Sequence, residues 1–131
     1  MKKIFIIFSM LILPLLAEAS SYRLVTTEVA YKTYSSGKWT DWSDWEESNI
    51  KVIVDLDEDF VKIFADNTVT ITVINWKEST DDGKGGKIIP ASCVDNDGDK
   101  LDMRFRIAKD GSFQLYLDYE SFKIVYNLEV D

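Results

Sequence analysis

Three tryptophans recur at every third position of one short stretch, KWTDWSDWEES, which covers residues 38–48. They are Trp39, Trp42 and Trp45, and the chain has four tryptophans in total. An exposed indole can stack on the face of a sugar or anchor a protein partner, and neighbouring acids can accept hydrogen bonds from the same ligand. The acids of this stretch are Asp41, Asp44, Glu46 and Glu47. The stretch is therefore the leading candidate for a ligand- or partner-binding site.

The same tryptophans could instead fasten the stretch to a core. Indoles gain much from burial, and one or two of them could close the end of a barrel. The residues between them make a poor helix, and in a regular strand a spacing of three would put neighbours on opposite faces. We therefore expect an irregular or bulged segment that leads into a strand at Ile50, and both placements of the rings stay open.

A second oxygen-rich stretch is CVDNDGDKLD, residues 93–102. Asp95, Asp97 and Asp99 have the D-x-D-x-D spacing of a calcium loop. An EF-hand loop that started at Asp95 would need glycine and glutamate where Lys100 and Arg106 stand. The Asp-Gly pair inside the stretch is typical of a hairpin turn. A turn is favoured, with a weak cation site as the alternative, and we predict no metal centre and no cofactor.

Catalytic chemistry is limited by the absence of histidine. Without it there is no Ser-His-Asp triad, no Cys-His pair and no histidine-ligated zinc. Carboxylate pairs remain available for glycoside hydrolysis, but a chain with 23 Asp and Glu residues has such pairs by abundance alone. No carboxyl group lies in a strongly apolar sequence context of the kind that marks a general acid. We predict no catalytic residues and no enzymatic activity.

The chain begins with the features of a secretory leader. Lys2 and Lys3 precede an apolar run over residues 4–17, and Ala17-Glu18-Ala19 has the small-x-small pattern of a cleavage site. The run is shorter than the roughly 20 residues that a membrane-spanning helix needs. We therefore predict a signal peptide over residues 1–19 and an exported protein, either periplasmic or extracellular.

Residues 20–131 are predicted to form a single β domain with one core. The formal net charge of −8 repels phosphate backbones and anionic lipids, so we predict no nucleic-acid partner and no membrane span after leader removal. Cys93 is the only cysteine, which excludes an internal disulfide. Its apolar context, KIIPASCVD, predicts a buried and unreactive thiol.

Apolar and polar residues alternate along most of residues 22–131. In LDMRFRI, residues 101–107, every second residue is apolar, which predicts a strand with one buried face. Asp97-Gly98 and Asp110-Gly111 are predicted to be hairpin turns of type I′. The residues predicted to face inward on other strands are Ile50, Val52, Val54 and Leu56; Val69, Ile71 and Val73; Phe113, Leu115, Leu117 and Tyr119; and Phe122, Ile124, Tyr126, Leu128 and Val130.

About eight strands joined by short hairpins predict an antiparallel up-and-down meander. A closed or partly closed barrel is favoured because closure removes exposed strand edges, and a β-sandwich is the alternative. Pro90 lacks an N–H donor, so its strand, around residues 88–94, is predicted to be an edge, bulged or late-starting strand.

As a whole, residues 20–131 resemble small secreted β-rich proteins of Gram-negative gut bacteria. The resemblance lies in a lysine-rich leader, a W-x-x-W element, the strand IKVIVDL, the hairpin CVDNDG and the closing strand FKIVYNL. These features are structural, so the resemblance implies an exported β domain and no particular activity. The expected meander also resembles lipocalin and avidin barrels in architecture.

These features together predict an exported binding module. Its ligand would be small and apolar or a saccharide, held at the barrel mouth or at residues 39–45. The alternative is a protein-interaction module, such as an envelope accessory subunit or an inhibitor, that docks through exposed tryptophans. A ligand pocket would surround the indoles concavely, whereas a docking surface would present them on a convex patch.

Overall fold

A computed structural model describes residues 21–131 of the protein, and the predicted leader over residues 1–19 lies outside the described residues. Every regular element in this range is a β-strand, which confirms the all-β prediction. Residues 21–131 include no helix that could cross a membrane.

Eleven strands follow one another along the described residues. They are β1 (Ser21–Ser35), β2 (Lys38–Trp39), β3 (Glu46–Glu47), β4 (Lys51–Asp55), β5 (Phe60–Phe64), β6 (Thr68–Trp76), β7 (Thr80–Asp81), β8 (Lys87–Asp95), β9 (Lys100–Ile107), β10 (Phe113–Asp118) and β11 (Phe122–Val130).

Eight of these strands form a closed antiparallel barrel. The order around the barrel is β1, β4, β5, β6, β8, β9, β10 and β11, and β11 pairs again with β1. The three remaining strands are short additions: β2 and β3 pair with β1, and β7 pairs with β8. The predicted meander barrel is therefore confirmed, and the sandwich alternative is wrong because no second sheet exists within the described range.

Apolar side chains fill the interior of the barrel. The alternating faces predicted for the strands are confirmed along β4, β9 and β10, and Phe105 and Phe113 stack there with ring centroids 5.5 Å apart. Two residues predicted to face inward, Phe122 and Val130, are exposed because they are the first and last residues of β11. The largest fully buried side chains are Tyr22, Phe105, Leu24, Ile63, Ile71, Ile89, Met103, Leu115, Val52, Val54 and Val61.

Cys93 belongs to this interior. Its side chain is buried and forms no disulfide, as predicted. Burial raises the pKa of the Cys93 thiol to about 12, with a further contribution from the negative charge of Asp102. Since the thiolate is the reactive species, this thiol is inert in the folded protein.

The two Asp-Gly hairpins are confirmed, but their predicted turn type is wrong. Gly98 and Gly111 have positive φ, whereas the preceding aspartates do not. The N–H of Gly111 donates to the carbonyl of Ala108, which is the pattern of a type I turn followed by a left-handed glycine. Two consecutive positive φ values, as type I′ requires, occur instead at Ser36 and Gly37, between β1 and β2.

Pro90 lies inside β8, opposite Arg104 of β9. Because β8 runs between β6 and β9, it is not an edge strand, and the register shift lies on β6 between Val73 and Asn75. The N–H of Lys77 donates to the carbonyl of Pro90. In an antiparallel ladder the N–H and C=O of one residue face the same neighbour. Pro90 therefore lacks an N–H on the side that faces a residue just beyond the end of β6. A proline is tolerated at such a position.

The connection from β7 to β8 is organised by Asp82. One of its carboxylate oxygens accepts hydrogen bonds from the N–H groups of Lys84 (2.7 Å) and Gly86 (2.8 Å), and the other lies 3.1 Å from Nη2 of Arg106. The two backbone donors, and then Arg106, lower the pKa of Asp82 against a smaller opposing effect of burial. Gly86 has no room for a Cβ, which would lie 2.5 Å from the carbonyl oxygen of Ile107.

Replacement of Phe105 by alanine tests the packed interior. Phe105→Ala should lower the free energy of unfolding by about 3–5 kcal/mol, because it leaves a cavity in the middle of the core. Urea denaturation should show this as a lower midpoint with an unchanged slope. The matched control is Phe64→Ala, which removes an exposed ring on β5 and should change stability by less than about 1 kcal/mol. Equal losses in the two variants would contradict the filled barrel.

Acid titration of stability tests the role of Asp82. A carboxyl group whose pKa is lowered by folding contributes stability above its unfolded pKa, and that stability is lost as the pH falls through the folded value. Asp82→Asn should therefore lower the urea midpoint at pH 7, and the difference from the wild type should shrink below about pH 4. Asp66→Asn, an equal charge change at an exposed turn residue, should show no such pattern. A pH-independent difference for Asp82→Asn would contradict the assignment.

Candidate functional site

The tryptophan stretch, residues 38–48, runs antiparallel beside the second half of β1. Three residues of the stretch span the same length as two residues of β1. The N–H of Thr40 donates to the carbonyl of Thr33 (2.8 Å), and the N–H of Ser43 donates to the carbonyl of Tyr31 (2.8 Å). The next pairing, at the start of β3, comes three residues later again. Each step thus contains one extra residue, as in a β-bulge, which confirms the predicted irregular segment.

Side-chain hydroxyls make this register possible. Oγ1 of Thr40 accepts the N–H of Thr33, and Oγ of Ser43 accepts the N–H of Tyr31, both at 3.0 Å. Each hydroxyl replaces a backbone carbonyl that a regular strand would supply. The stretch is therefore a repeat of W-T-D, W-S-D and W-E-E, in which every repeat advances by two residues of β1. The tryptophans occupy equivalent positions along β1, roughly 7 Å apart.

Two of the indoles lie on the outer surface of the barrel, each beside a lysine. Nζ of Lys123 lies 4.8 Å from the ring centroid of Trp39, and Nζ of Lys32 lies 4.7 Å from that of Trp42. The ring of Tyr116 approaches Trp42 edge-on at 6.3 Å. Tyr34 lies 5.3 Å from Trp39, and the guanidinium of Arg104 lies 4.2 Å from the ring of Tyr116. We call this surface the tryptophan face, formed by Trp39, Trp42, Trp45, Tyr34, Tyr116, Lys32, Arg104 and Lys123.

The three tryptophans are partly exposed rather than buried. Trp39 and Trp42 are 37% exposed and Trp45 is 44% exposed. The interpretation in which indoles close the barrel end is therefore wrong, because other side chains already fill the interior. Among residues 21–131, only Trp76 donates its indole N–H, to the carboxylate of Asp59 at 3.0 Å. The indole N–H groups of the tryptophan face remain available to a ligand.

Trp42 also has a structural role. Tyr116 of β10 is paired with Val125 of β11, which is paired in turn with Ala30 of β1, so these residues form one outward row. Val125 and Ala30 are nevertheless only 3% and 2% exposed. Trp42 contacts Tyr116, at one end of this row, and Lys32, two residues along β1 from Ala30. Trp45 has no such ring or cation contact in the described residues.

A chain of polar side chains borders the tryptophan face on the outer surface. Arg106 donates to Gln114 (3.1 Å), Gln114 donates to Asn127 (2.9 Å), and Asn127 donates to Glu28 (3.1 Å). The hydroxyl of Tyr116 also donates to Gln114 (3.2 Å), which connects the chain to the face. These side chains come from four adjacent strands, and their mutual hydrogen bonds fix the surface next to the indoles.

Among the described residues, the two lysines of the tryptophan face have no carboxylate partner, whereas Arg104 pairs with Asp118. Within residues 21–131, neither Lys32 nor Lys123 has a carboxylate within 4.0 Å. Nε of Arg104 lies 3.7 Å from Asp118 and makes no hydrogen bond. The acids of the tryptophan stretch, Asp41, Asp44, Glu46 and Glu47, are all exposed to solvent.

The barrel mouth carries a separate apolar groove of about 540 Å³. Its walls are the parts of β1 and β11 that extend past the packed interior, including Val29, Tyr31, Ile124 and Tyr126. Phe122 lies at its rim and stacks on Tyr119 at 4.4 Å. The groove is open to solvent and lies at the rim, so it is not an enclosed pocket of the lipocalin type.

The aspartate cluster is explained by the hairpin between β8 and β9. Single oxygens of Asp95, Asp97 and Asp99 lie within 4.8 Å of one another. Oδ1 of Asp95 already accepts the N–H groups of Asp97 and Asp99, and its Oδ2 accepts the hydroxyl of Tyr119. Partial burial opposes ionisation of Asp95, but these hydrogen bonds outweigh it and lower its pKa. The cluster is thus built as a turn.

Comparison with family models, curated proteins and solved structures found no match to this chain. Function is therefore inferred from the geometry of the molecule itself.

The sequence predicted the three tryptophans of this candidate site, but not its tyrosines or its cations. Lys32 and Lys123 lie far apart in the chain and meet only because β1 pairs with β11. Tyr116 of β10 and Arg104 of β9 lie near them because β10 pairs with β11 and β9 pairs with β10. The available signal was the W-x-D repeat with Thr40 and Ser43 at its second position, which distinguishes a run of bulges from a regular strand.

Alanine substitutions compare the stability contribution of Trp42, which packs against other side chains, with that of Trp45. Trp42→Ala should lower the free energy of unfolding by about 1–3 kcal/mol, because it removes the packing of the indole on Tyr116 and its contact with Lys32. Trp45→Ala should change stability by less than about 0.5 kcal/mol. Urea denaturation of both variants gives the comparison, and a larger loss for Trp45→Ala would contradict the described packing.

Proposed function

We propose that the protein is an exported binding module that binds a saccharide chain on the tryptophan face. The observation that carries the proposal is the bulged W-x-D repeat, which holds three partly exposed indoles in equivalent positions along β1. Indole rings offer flat apolar surface to a sugar face, and their N–H groups can donate to its hydroxyls. A row of such rings suits an extended ligand better than a compact one.

The polar groups beside the rings support the same proposal. Asp41, Asp44, Glu46 and Glu47 follow the tryptophans in the repeat, are exposed, and can accept hydrogen bonds from sugar hydroxyls. Their exposure also favours binding without catalysis, since a general acid needs a raised pKa and hence an apolar setting. Export by the leader would place the tryptophan face among periplasmic or extracellular glycans.

A ligand inside the barrel is not favoured. The interior positions of β4, β5, β9 and β10 are occupied by buried side chains. The rim groove between β1 and β11 is apolar but wide open, whereas sites for small apolar ligands bury most of the ligand surface. The outer surface is therefore the better supported location.

A protein partner is the second candidate, and one feature favours it. Among the described strands, β2 and β3 pair only with β1, so the far side of the tryptophan stretch presents backbone groups that no described strand pairs with. An extended segment of a partner could add there as a further strand. The convex position of the indoles is compatible with this arrangement.

A glycan panel tests the proposal. The protein purified from expression of the full chain should bind at least one class of polysaccharide, measured by titration calorimetry or on a glycan array. Trp45→Ala should weaken that binding by about tenfold or more while leaving the urea midpoint unchanged. Phe64→Ala, which also removes an exposed aromatic ring, should bind like the wild type. Absence of any glycan binding, or normal binding by Trp45→Ala, would overturn the proposal and favour the protein partner.

A further inference from the structure

We infer that the saccharide chain bound by the tryptophan face is acidic, with carboxylate or sulfate groups that lie between Lys32 and Lys123. This inference rests on the proposed function and adds the charge of the ligand to it. Three observations carry it: the placement of the two lysines, the indoles that contact them, and the lack of a carboxylate within 4.0 Å of either lysine in the described part of the chain.

The two lysines face each other directly. Lys32 of β1 and Lys123 of β11 are partners in the strand register. Directly opposite residues have Cβ atoms about 5 Å apart, and like charges in that position repel each other. Strands avoid such pairs unless another interaction holds them. The pair therefore places two positive charges side by side on the outer surface, while Asp118, the partner of Lys123 on β10, pairs with Arg104 instead.

Indole rings, rather than carboxylates, hold these ammonium groups. Lys32 lies over Trp42 at 4.7 Å and Lys123 lies over Trp39 at 4.8 Å. A ring attracts a cation without cancelling its charge, unlike an ion pair. The whole chain has 23 acidic and 15 basic residues, so carboxylates are the more abundant partner. Within residues 21–131, however, none lies within ion-pair distance of either lysine.

Arg104 belongs to the same face, although Asp118 forms an ion pair with its Nε at 3.7 Å. Its guanidinium lies 4.2 Å from the ring of Tyr116, which itself contacts Trp42. Nε of Arg104 is buried without a hydrogen bond, and Oδ1 of the nearby Asp118 has none either. The face thus presents cations and aromatic rings side by side. A sugar ring with an anionic substituent matches both, because its apolar face meets the indoles and its charge meets the lysines.

The competing anionic ligands match the surface less well. The net charge of −8 opposes approach to an anionic lipid surface or an acidic protein as a whole. A single chain of acidic sugars can place its anionic groups at the two lysines and its uncharged groups beside the exposed acids Asp41, Asp44, Glu46 and Glu47. At physiological salt the Debye length is about 8 Å, so protein charges farther than this from the bound ligand are screened from it.

The experiment compares two forms of one polysaccharide. The probes are oligomers of polygalacturonate and the same oligomers with their carboxylates methyl-esterified, measured by titration calorimetry. The wild type should bind the acidic form about tenfold more tightly than the ester, and this preference should fall as salt is raised. The double variant Lys32→Gln, Lys123→Gln should bind the two forms with nearly equal affinity, and this ratio of affinities is the readout.

The matched control is Lys87→Gln, Lys109→Gln, which makes the same charge change on exposed residues outside the tryptophan face. It should retain the preference of the wild type. Urea denaturation of both double variants checks that each remains folded, and no loss of stability is needed for the predicted effect.

The outcomes separate the inference from the proposed function. Equal binding of both oligomers, unaffected by the lysine substitutions but weakened by Trp45→Ala, would overturn the inference and leave the saccharide site standing. Failure to bind either these oligomers or chondroitin sulfate and its desulfated form, together with failure on the wider glycan panel, would overturn both. Lysine-dependent binding to phosphatidylglycerol vesicles, without glycan binding, would overturn the inference in favour of a lipid surface.

Discussion

The pairing of the first described strand with the last is the contact on which the rest of the structure depends. β1 and β11 run side by side from Leu24 opposite Val130 to Thr33 opposite Phe122. This pairing closes the barrel and so removes the two free edges that an eight-stranded meander would otherwise expose. It also brings Lys32 to Lys123, so the same register creates both the fold and the charged part of the tryptophan face.

A single bulge divides β1 between these two roles. The register with β11 shifts between Thr26 and Glu28, and at the same point the other neighbour of β1 changes from β4 to the tryptophan stretch. Thr26 is buried, and its hydroxyl accepts the N–H of Ile50 (2.8 Å) and shares a hydrogen bond with Ser48 (2.7 Å). The first half of β1 thus packs the barrel, while the second half supports a surface segment with its own three-residue register.

Local patterns in the sequence were sufficient to predict the barrel strands, because burial on one face imposes an alternation that is visible in runs such as residues 101–107. The turn type at Asp110-Gly111 could not be predicted in this way, because a type I turn with a left-handed glycine and a type I′ turn share the same dipeptide. Pro90 predicts an edge, bulged or late-starting strand, and nothing in the local sequence reveals that the neighbouring strand β6 is bulged and ends opposite it. The cationic half of the site depends on register across the closed barrel, and single-strand patterns contain no information on that register.

The position of the tryptophans is the central claim, since it decides between a surface site and a packing role. Acrylamide quenching of tryptophan fluorescence measures it directly when Trp76 is replaced by phenylalanine, so that only Trp39, Trp42 and Trp45 emit. On the structure described here, the emission should be red-shifted and strongly quenched, with the largest contribution to quenching from Trp45. Blue-shifted emission that resists acrylamide would place the indoles in the core and contradict the account.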